Sequence, residues 1–248
     1  MNNHDIILRY LSATGAKKFV PRAALIDMDG TLYDSMPNHA TAWHTLATEI
    51  GIPTTREEFF LYEGATGAYT LCRLFNRAFG RDATPDEIKR LYKRKTELFA
   101  AQPAVGLMPG AMRLLEFFKQ AGTERIVVTG SGQDTVISRL TTDFPGLIYA
   151  DKIITARDVT KGKPDPEPYL MGMKLAGVSP AEAIVIENAP LGVMAGHRSG
   201  AFTVGVTTGP IPRAEMEKAG ADIVYDSMEQ CAAEMPALFS EMSSVTLK

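Results

Sequence analysis

The sequence predicts an α/β fold, a doubly wound parallel sheet with a helical block inserted after its first strand, on three observations. The apolar run Ala23-Ala24-Leu25-Ile26 leads straight into Asp27-Met28-Asp29-Gly30-Thr31, the pattern of a buried strand ending in a polar turn. The next convincing strand begins only at Arg125, and the chain between them is patterned as helices. From Pro109 onward strand and helix alternate as far as Tyr225, the signature of parallel strands joined by right-handed crossovers.

Taken in order, residues 1–18 carry a short apolar stretch, Ile6-Ile7-Leu8, preceded by Asp5. It is too short for a membrane span and lacks the layout of a signal peptide, so it reads as a short extra helix, with 13–18 as linker. The first strand, 23–26, has no polar alternation, as expected of a strand buried on both faces. Residues 38–50 place Ala42, Leu46 and Ile50 at helical spacing and stop at Gly51, a C-terminal cap. A second helix, 66–79, is stopped by Gly80, and Thr84-Pro85-Asp86-Glu87 forms an N-cap, first-turn proline and capping glutamate for a third that runs to about 101. Later strands are expected at 125–128, 152–155, 183–186, 202–206 and 222–225. The predicted domains are a core, 1–33 and 106–248 (1–20 an N-terminal extension), and a helical cap, 34–105.

A chain of 248 residues with 45% hydrophobic residues can bury such a core, and its net charge of −3 without a basic block argues against nucleic acid or an anionic membrane as partner. Cys72 and Cys231 lie far apart without metal-ligand spacing, so reduced thiols in a cytoplasmic protein, a monomer rather than an oligomer, are expected.

The chemistry starts at the aspartate pair. Open α/β sheets bind ligands at the carboxyl ends of their strands, and residues i and i+2 of a strand point the same way. Asp27 and Asp29 can therefore face one reacting centre, one carboxylate attacking phosphorus and the other moving protons. A lone Asp-x-Asp-Gly can equally be an acidic capping turn, but here further polar positions follow at later strand ends: Thr129-Gly130-Ser131, Lys163 within Lys161-Gly162-Lys163-Pro164-Asp165-Pro166, and Glu187-Asn188.

These four segments, in this order, resemble the four motifs of the haloacid dehalogenase superfamily of phosphotransferases, in its β-phosphoglucomutase-like branch, over residues 23–225. The segment from Ile186 to Gly192 is similar to that of bacterial inorganic pyrophosphatases of this branch. The resemblance implies a Rossmann-like core with a helical cap, Asp27 as nucleophile, Asp29 as acid/base, Thr129 and Lys163 as phosphate and charge partners, and Gly130 and Ser131 at the substrate. It also implies Mg²⁺ held by Asp27, the Asp29 carbonyl and Asn188, with Glu187 as a water-mediated partner. Relatives usually carry aspartate where this chain has Asn188, so one negative charge is missing.

The cap carries the substrate reading. Sugar-phosphate mutases of the branch grip their second phosphate with a loop resembling Lys-Gly-x-Ser-Arg, whereas the matching stretch here is Glu63-Gly64-Ala65-Thr66-Gly67. Glycine cannot supply the bidentate phosphate contact of arginine, which argues against mutase activity. Glu63 either reaches the metal when the cap closes or is a solvated loop glutamate. By the same resemblance His39 touches substrate or Asp29, or is a satisfied structural histidine, and Lys95 faces the site; Trp43 packs at the cap–core junction. The expected function is a Mg²⁺-dependent phosphohydrolase for a small phosphate substrate, with inorganic pyrophosphate foremost. β-Phosphoglucomutase is the runner-up. Carbon–halogen hydrolysis is opposed by the second carboxylate and Glu187-Asn188, and a phosphate-sensing module by the intact motif residues.

Overall fold

Six parallel strands in the order β3-β2-β1-β4-β5-β6 organise the computed structural model, which describes residues 2–133 and 135–247. The strands are β1 (Ala23–Ile26), β2 (Glu124–Val128), β3 (Ile153–Ile154), β4 (Ala183–Glu187), β5 (Phe202–Val206) and β6 (Ile223–Tyr225). The central β1 is buried along its whole length, as its unbroken apolar run requires, and pairs with β2 (Leu25 beside Ile126) and β4 (Leu25 beside Val185). The order steps outward from β1 in both directions, so the crevice at the ends of β1, β2 and β4 is the switch point where ligands of such sheets bind.

Eleven α-helices accompany the sheet among the described residues: α1 (Asn3–Thr14), α2 (Met36–Glu49), α3 (Glu58–Leu61), α4 (Gly67–Phe79), α5 (Pro85–Ala100), α6 (Ala111–Gln120), α7 (Val136–Asp143), α8 (Glu167–Ala176), α9 (Pro190–Arg198), α10 (Arg213–Lys218) and α11 (Met228–Ser244). Helices α2 to α5 are the inserted block and enclose an apolar core of their own around Trp43, Leu46, Phe59, Leu74 and Leu91. The capping box at α5 is present as read: the Glu87 amide donates to the Thr84 hydroxyl, and the Thr84 amide to the Glu87 carboxylate. The two connections to the core run side by side, Asp34 N donating to Gly106 O at 3.1 Å and Met108 N to Leu32 O at 2.9 Å.

Several boundaries differ from the sequence expectation. Helix α2 starts at Met36, two residues early, because Pro37 fits a first helical turn. The third strand contracts to Ile153–Ile154, since residues 150–152 wind into a 3₁₀ turn, and β6 begins at Ile223, the residue after Asp222. Helix α1 continues through Thr14 to a left-handed Gly15, so the linker begins there and not at Ala13. That linker is tied down: Leu247 N donates to Lys17 O at 2.8 Å, and Lys18 bridges Thr246. No described helix is long and apolar enough to cross a membrane.

Candidate active site

Each motif residue sits where a buried strand runs out. Asp27 follows β1, Thr129 follows β2, Glu187 closes β4, and Lys163 enters on the loop before α8. The Lys163 ammonium is fully buried and donates to Asp27 Oδ1 at 2.6 Å, Glu187 Oε1 at 2.7 Å and the Val128 carbonyl at 2.9 Å. The Glu187 carboxylate is fully engaged. Its Oε1 also accepts from the Tyr169 hydroxyl at 2.7 Å, and its Oε2 accepts from the amides of Asn188 and Ala189. Gly192 makes room for it, because a Cβ there would lie 1.8 Å from Oε1. Glu187 therefore acts as the anchor that aims Lys163, with no bare oxygen turned to a ligand.

Burial and the Glu187 charge press the Asp27 carboxyl upward, to about 8, against the pull of Lys163. Lys163 is driven the other way: burial lowers it, but the two carboxylates outweigh burial and hold it above the ordinary lysine range. One ammonium among buried carboxylates leaves an excess of negative charge that a cation would relieve. Two buried oxygens nearby have no partner, Asp27 Oδ2 and Asn188 Oδ1. Among the described residues no group of three or more His, Cys, Asp and Glu side chains is placed to hold a metal ion. Two unpaired oxygens beside surplus negative charge suit a hard divalent cation that takes its remaining oxygens from backbone, ligand and water.

Asp29 belongs to a second network, reaching into the cap. Its Oδ1 accepts from the Ser35 hydroxyl at 2.6 Å and from His39 Nε2 at 3.1 Å, while His39 Nδ1 lies 2.6 Å from the Lys95 ammonium. Burial and the Lys95 charge lower His39, so the ring is neutral, accepting from Lys95 and donating to Asp29. Burial pushes the Asp29 carboxyl up, but His39, Ser35 and Lys95 outweigh it and hold it at about 2. Lys95 is brought down to about 8 by burial, opposed by Asp29 and Glu63. Its ammonium stands 5.2 Å from the ring centres of both Trp43 and Phe99.

The cap lies closed on this centre. Gly130 has no room for a Cβ, which would meet the Gly64 carbonyl at 2.7 Å, and one on Gly162 would meet the Thr66 methyl at 2.4 Å. Between cap and core remains a cavity of about 40 Å³ lined by Asp27, Asp29, His39, Glu63, Lys95 and Ser131, with aromatic walls from Trp43, Phe59, Tyr62 and Tyr92. Half-buried Glu63 is on that wall, and burial, then the charges of Asp29 and Asp27, raise its carboxyl well above its ordinary range.

The sequence-predicted residues thus divide into two layers. Asp27, Asp29, His39, Glu63, Lys95, Gly130 and Ser131 line the cavity, while Thr129, Lys163, Glu187 and Asn188 are not on its wall. The Thr129 hydroxyl accepts from the Ser131 amide at 3.0 Å, shaping the loop. Trp43 belongs to the cap core, stacked on Phe59 at 6.2 Å, as well as to the cavity wall. Sequence reasoning missed Ser35, Tyr92 and Tyr169. Ser35 precedes a helix with a first-turn proline and so resembles an N-cap, yet it makes no cap bond and gives its hydroxyl to Asp29. Nothing in the local pattern marks the two tyrosines.

A doubly wound core, a helical cap closed over strand-end carboxylates and a buried lysine between them define a capped α/β protein with an acidic strand-end site. Residues 21–200 match the haloacid dehalogenase-like hydrolase family, and the chain belongs to it. It is 34% identical over 197 residues to validoxylamine A 7'-phosphate phosphatase of Streptomyces hygroscopicus subsp. limoneus, covering 75% of this chain and 86% of that one. Hexitol phosphatase A of Escherichia coli is 32% identical over 208 residues, covering 83% and 91%. Among solved structures, a putative β-phosphoglucomutase from Bacteroides vulgatus superposes with a TM-score of 0.93 at 44% identity, covering 97% of this chain and 98% of the other.

Proposed function

We propose that this hydrolase transfers a phosphoryl group from a small phosphate compound to water through an aspartyl-phosphate on Asp27, with inorganic pyrophosphate the leading substrate. An Asp27 oxygen attacks phosphorus, the bond to the leaving oxygen breaks, and the leaving group departs with that electron pair. Water then attacks the same phosphorus, releasing phosphate and restoring the carboxylate, with its proton taken by Asp29. Lys163 offsets the charge that builds up on the phosphoryl oxygens. Mg²⁺ would be held by Asp27 and Asn188, with Glu63 added from the cap, and would supply charge neutralisation to the phosphoryl group.

The observation that carries the reading is the closed cavity of about 40 Å³ with Glu63 on its wall. Room for a few waters favours a compact leaving group, because a bulky one must hold the cap open and Glu63 away. The state of Asp29 points the same way. Held ionised at about 2, it has no proton to give a leaving group, which suits one that departs as a stable anion; an alkoxide needs a proton on departure.

A second reading is favoured by the relatives: the printed names of a hexitol phosphatase and of a validoxylamine phosphate phosphatase point to sugar-phosphate hydrolysis, and the Bacteroides neighbour to a mutase. A phosphate-release screen over pyrophosphate, hexose and hexitol phosphates and small esters, with Mg²⁺ and with chelator, decides. Preference for pyrophosphate supports the proposal; a higher kcat/KM for a hexitol or hexose phosphate overturns it. Conversion of β-glucose 1-phosphate to glucose 6-phosphate faster than phosphate release would establish the mutase.

A further inference from the structure

We propose that Tyr92 is the specificity-determining residue of this site: its ring is a part of the cap wall of the closed cavity beneath which the leaving group must fit. The inference rests on the phosphohydrolase reading above and names the side chain that would set the size limit.

Tyr92 stands on α5 three residues before Lys95, so the two share a helix face, and both line the cavity. Its ring lies on Gly67, the first residue of α4, where a Cβ would come within 2.1 Å of Cδ2 and 2.2 Å of Cε2. A glycine at 67 is therefore what allows the ring to occupy that corner, and any side chain at 67 must evict it. Trp43 stands beside it, tilted, with ring centres 6.4 Å apart. The ring is thus a fixed part of the wall.

The ring also meets the core side of the cap–core seam: it shares the cavity wall with Gly130 and Ser131, in the loop that follows β2. Elsewhere the seam is Ser35 and His39 on Asp29, and backbone or a small group on glycine, Gly64 and Ala65 on Gly130 and Thr66 on Gly162. The Tyr92 ring touches cavity and cap together. A leaving group too large for the cavity must displace the ring, and with Gly67 and Trp43 packed beside it the cap must move too, so size is read as failure to close. A small one leaves ring and cap in place. Discrimination of this kind acts on the closed state in which reaction occurs and so on kcat/KM.

The test compares wild type, Tyr92→Phe and Tyr92→Ala with pyrophosphate and glucose 6-phosphate, after circular dichroism has confirmed folding. Tyr92→Ala should raise the ratio of kcat/KM for glucose 6-phosphate over that for pyrophosphate by about tenfold or more. Tyr92→Phe keeps the wall, so its ratio should stay near wild type and separate the ring from the hydroxyl; a merely structural tyrosine would not shift the ratio in Tyr92→Ala. If Tyr92→Ala does not fold, Tyr92→Leu, which retains apolar packing with a shorter reach, is read in its place. A ratio within about twofold of wild type in the folded truncation overturns the proposal. The wild-type order of the two substrates tests the small-substrate reading separately, because the ratio must shift whichever substrate is preferred.

Discussion

Exchanging Lys163 for methionine keeps the length of the side chain and deletes one charge at a point where three oxygens converge. In the wild type the ammonium lies 2.6 Å from Asp27, 2.7 Å from Glu187 and 2.9 Å from the Val128 carbonyl, and all three side chains are buried to within a few per cent. Losing the cation leaves two carboxylates facing each other without water, and breaking a buried pair in this way costs about 3–5 kcal/mol. For a chain of this size that predicts a fall in melting temperature of roughly 6–20 °C. Turnover should drop by about a thousandfold or more, because Asp27 gains a proton and the transferring phosphoryl group loses its neutralising charge. The informative partner is Glu187→Gln, whose amide oxygen can still accept from Tyr169. Combined with Lys163→Met it removes one stranded charge, so about half of the lost stability should return while turnover stays absent. Calorimetry and phosphate release are the assays. A Lys163→Met protein melting within about 2 °C of wild type, or a double variant no more stable than the single, would refute the charge accounting.

Asp27→Asn should leave the fold intact and abolish turnover; more than about a tenth of wild-type activity, a loss under ~1.4 kcal/mol, would remove it as nucleophile. Ser35→Ala deletes a donor that keeps the Asp29 carboxyl low, so that carboxyl should rise toward its ordinary range and the acid limb of the kcat/KM profile should move to higher pH; an unmoved limb contradicts the assignment. Glu63→Gln should raise the Mg²⁺ concentration needed for half-maximal turnover, and Asn188→Asp should partly restore it, whereas unchanged Mg²⁺ dependence would make Glu63 a bystander. Asp222 is raised to about 6, chiefly by burial, so its contribution to stability is complete below about pH 4 and is lost as pH rises through 6. In Asp222→Asn that decline should be absent from thermal melts recorded across the same pH window; a decline of wild-type size would assign it to other groups.

Local pattern alone determined the skeleton and the reactive core. Strands β1 and β4 are buried on both faces, so their apolar runs are unbroken, and the first polar residue after each run lands at the sheet's carboxyl edge. That is why Asp27 and Asp29 could be placed from sequence. The same holds for α5, whose capping box is a matter of four neighbouring residues. Only the tertiary structure decided how the polar groups share one another. Lys163 and Asp27 are 136 residues apart, and that Glu187 is consumed in holding the lysine depends on Tyr169 arriving from α8 and on Gly192 leaving space. Ser35 spends its hydroxyl on Asp29 instead of its own helix because a buried carboxylate is the stronger acceptor. Helix α11 runs through Pro236, where a local rule would end it, since Met235 and Leu238 on either side are buried in the core. Cavity size is the furthest from sequence: it follows from how α5 and the 63–67 loop settle on the core, a sum of contacts between segments that no pattern along the chain encodes.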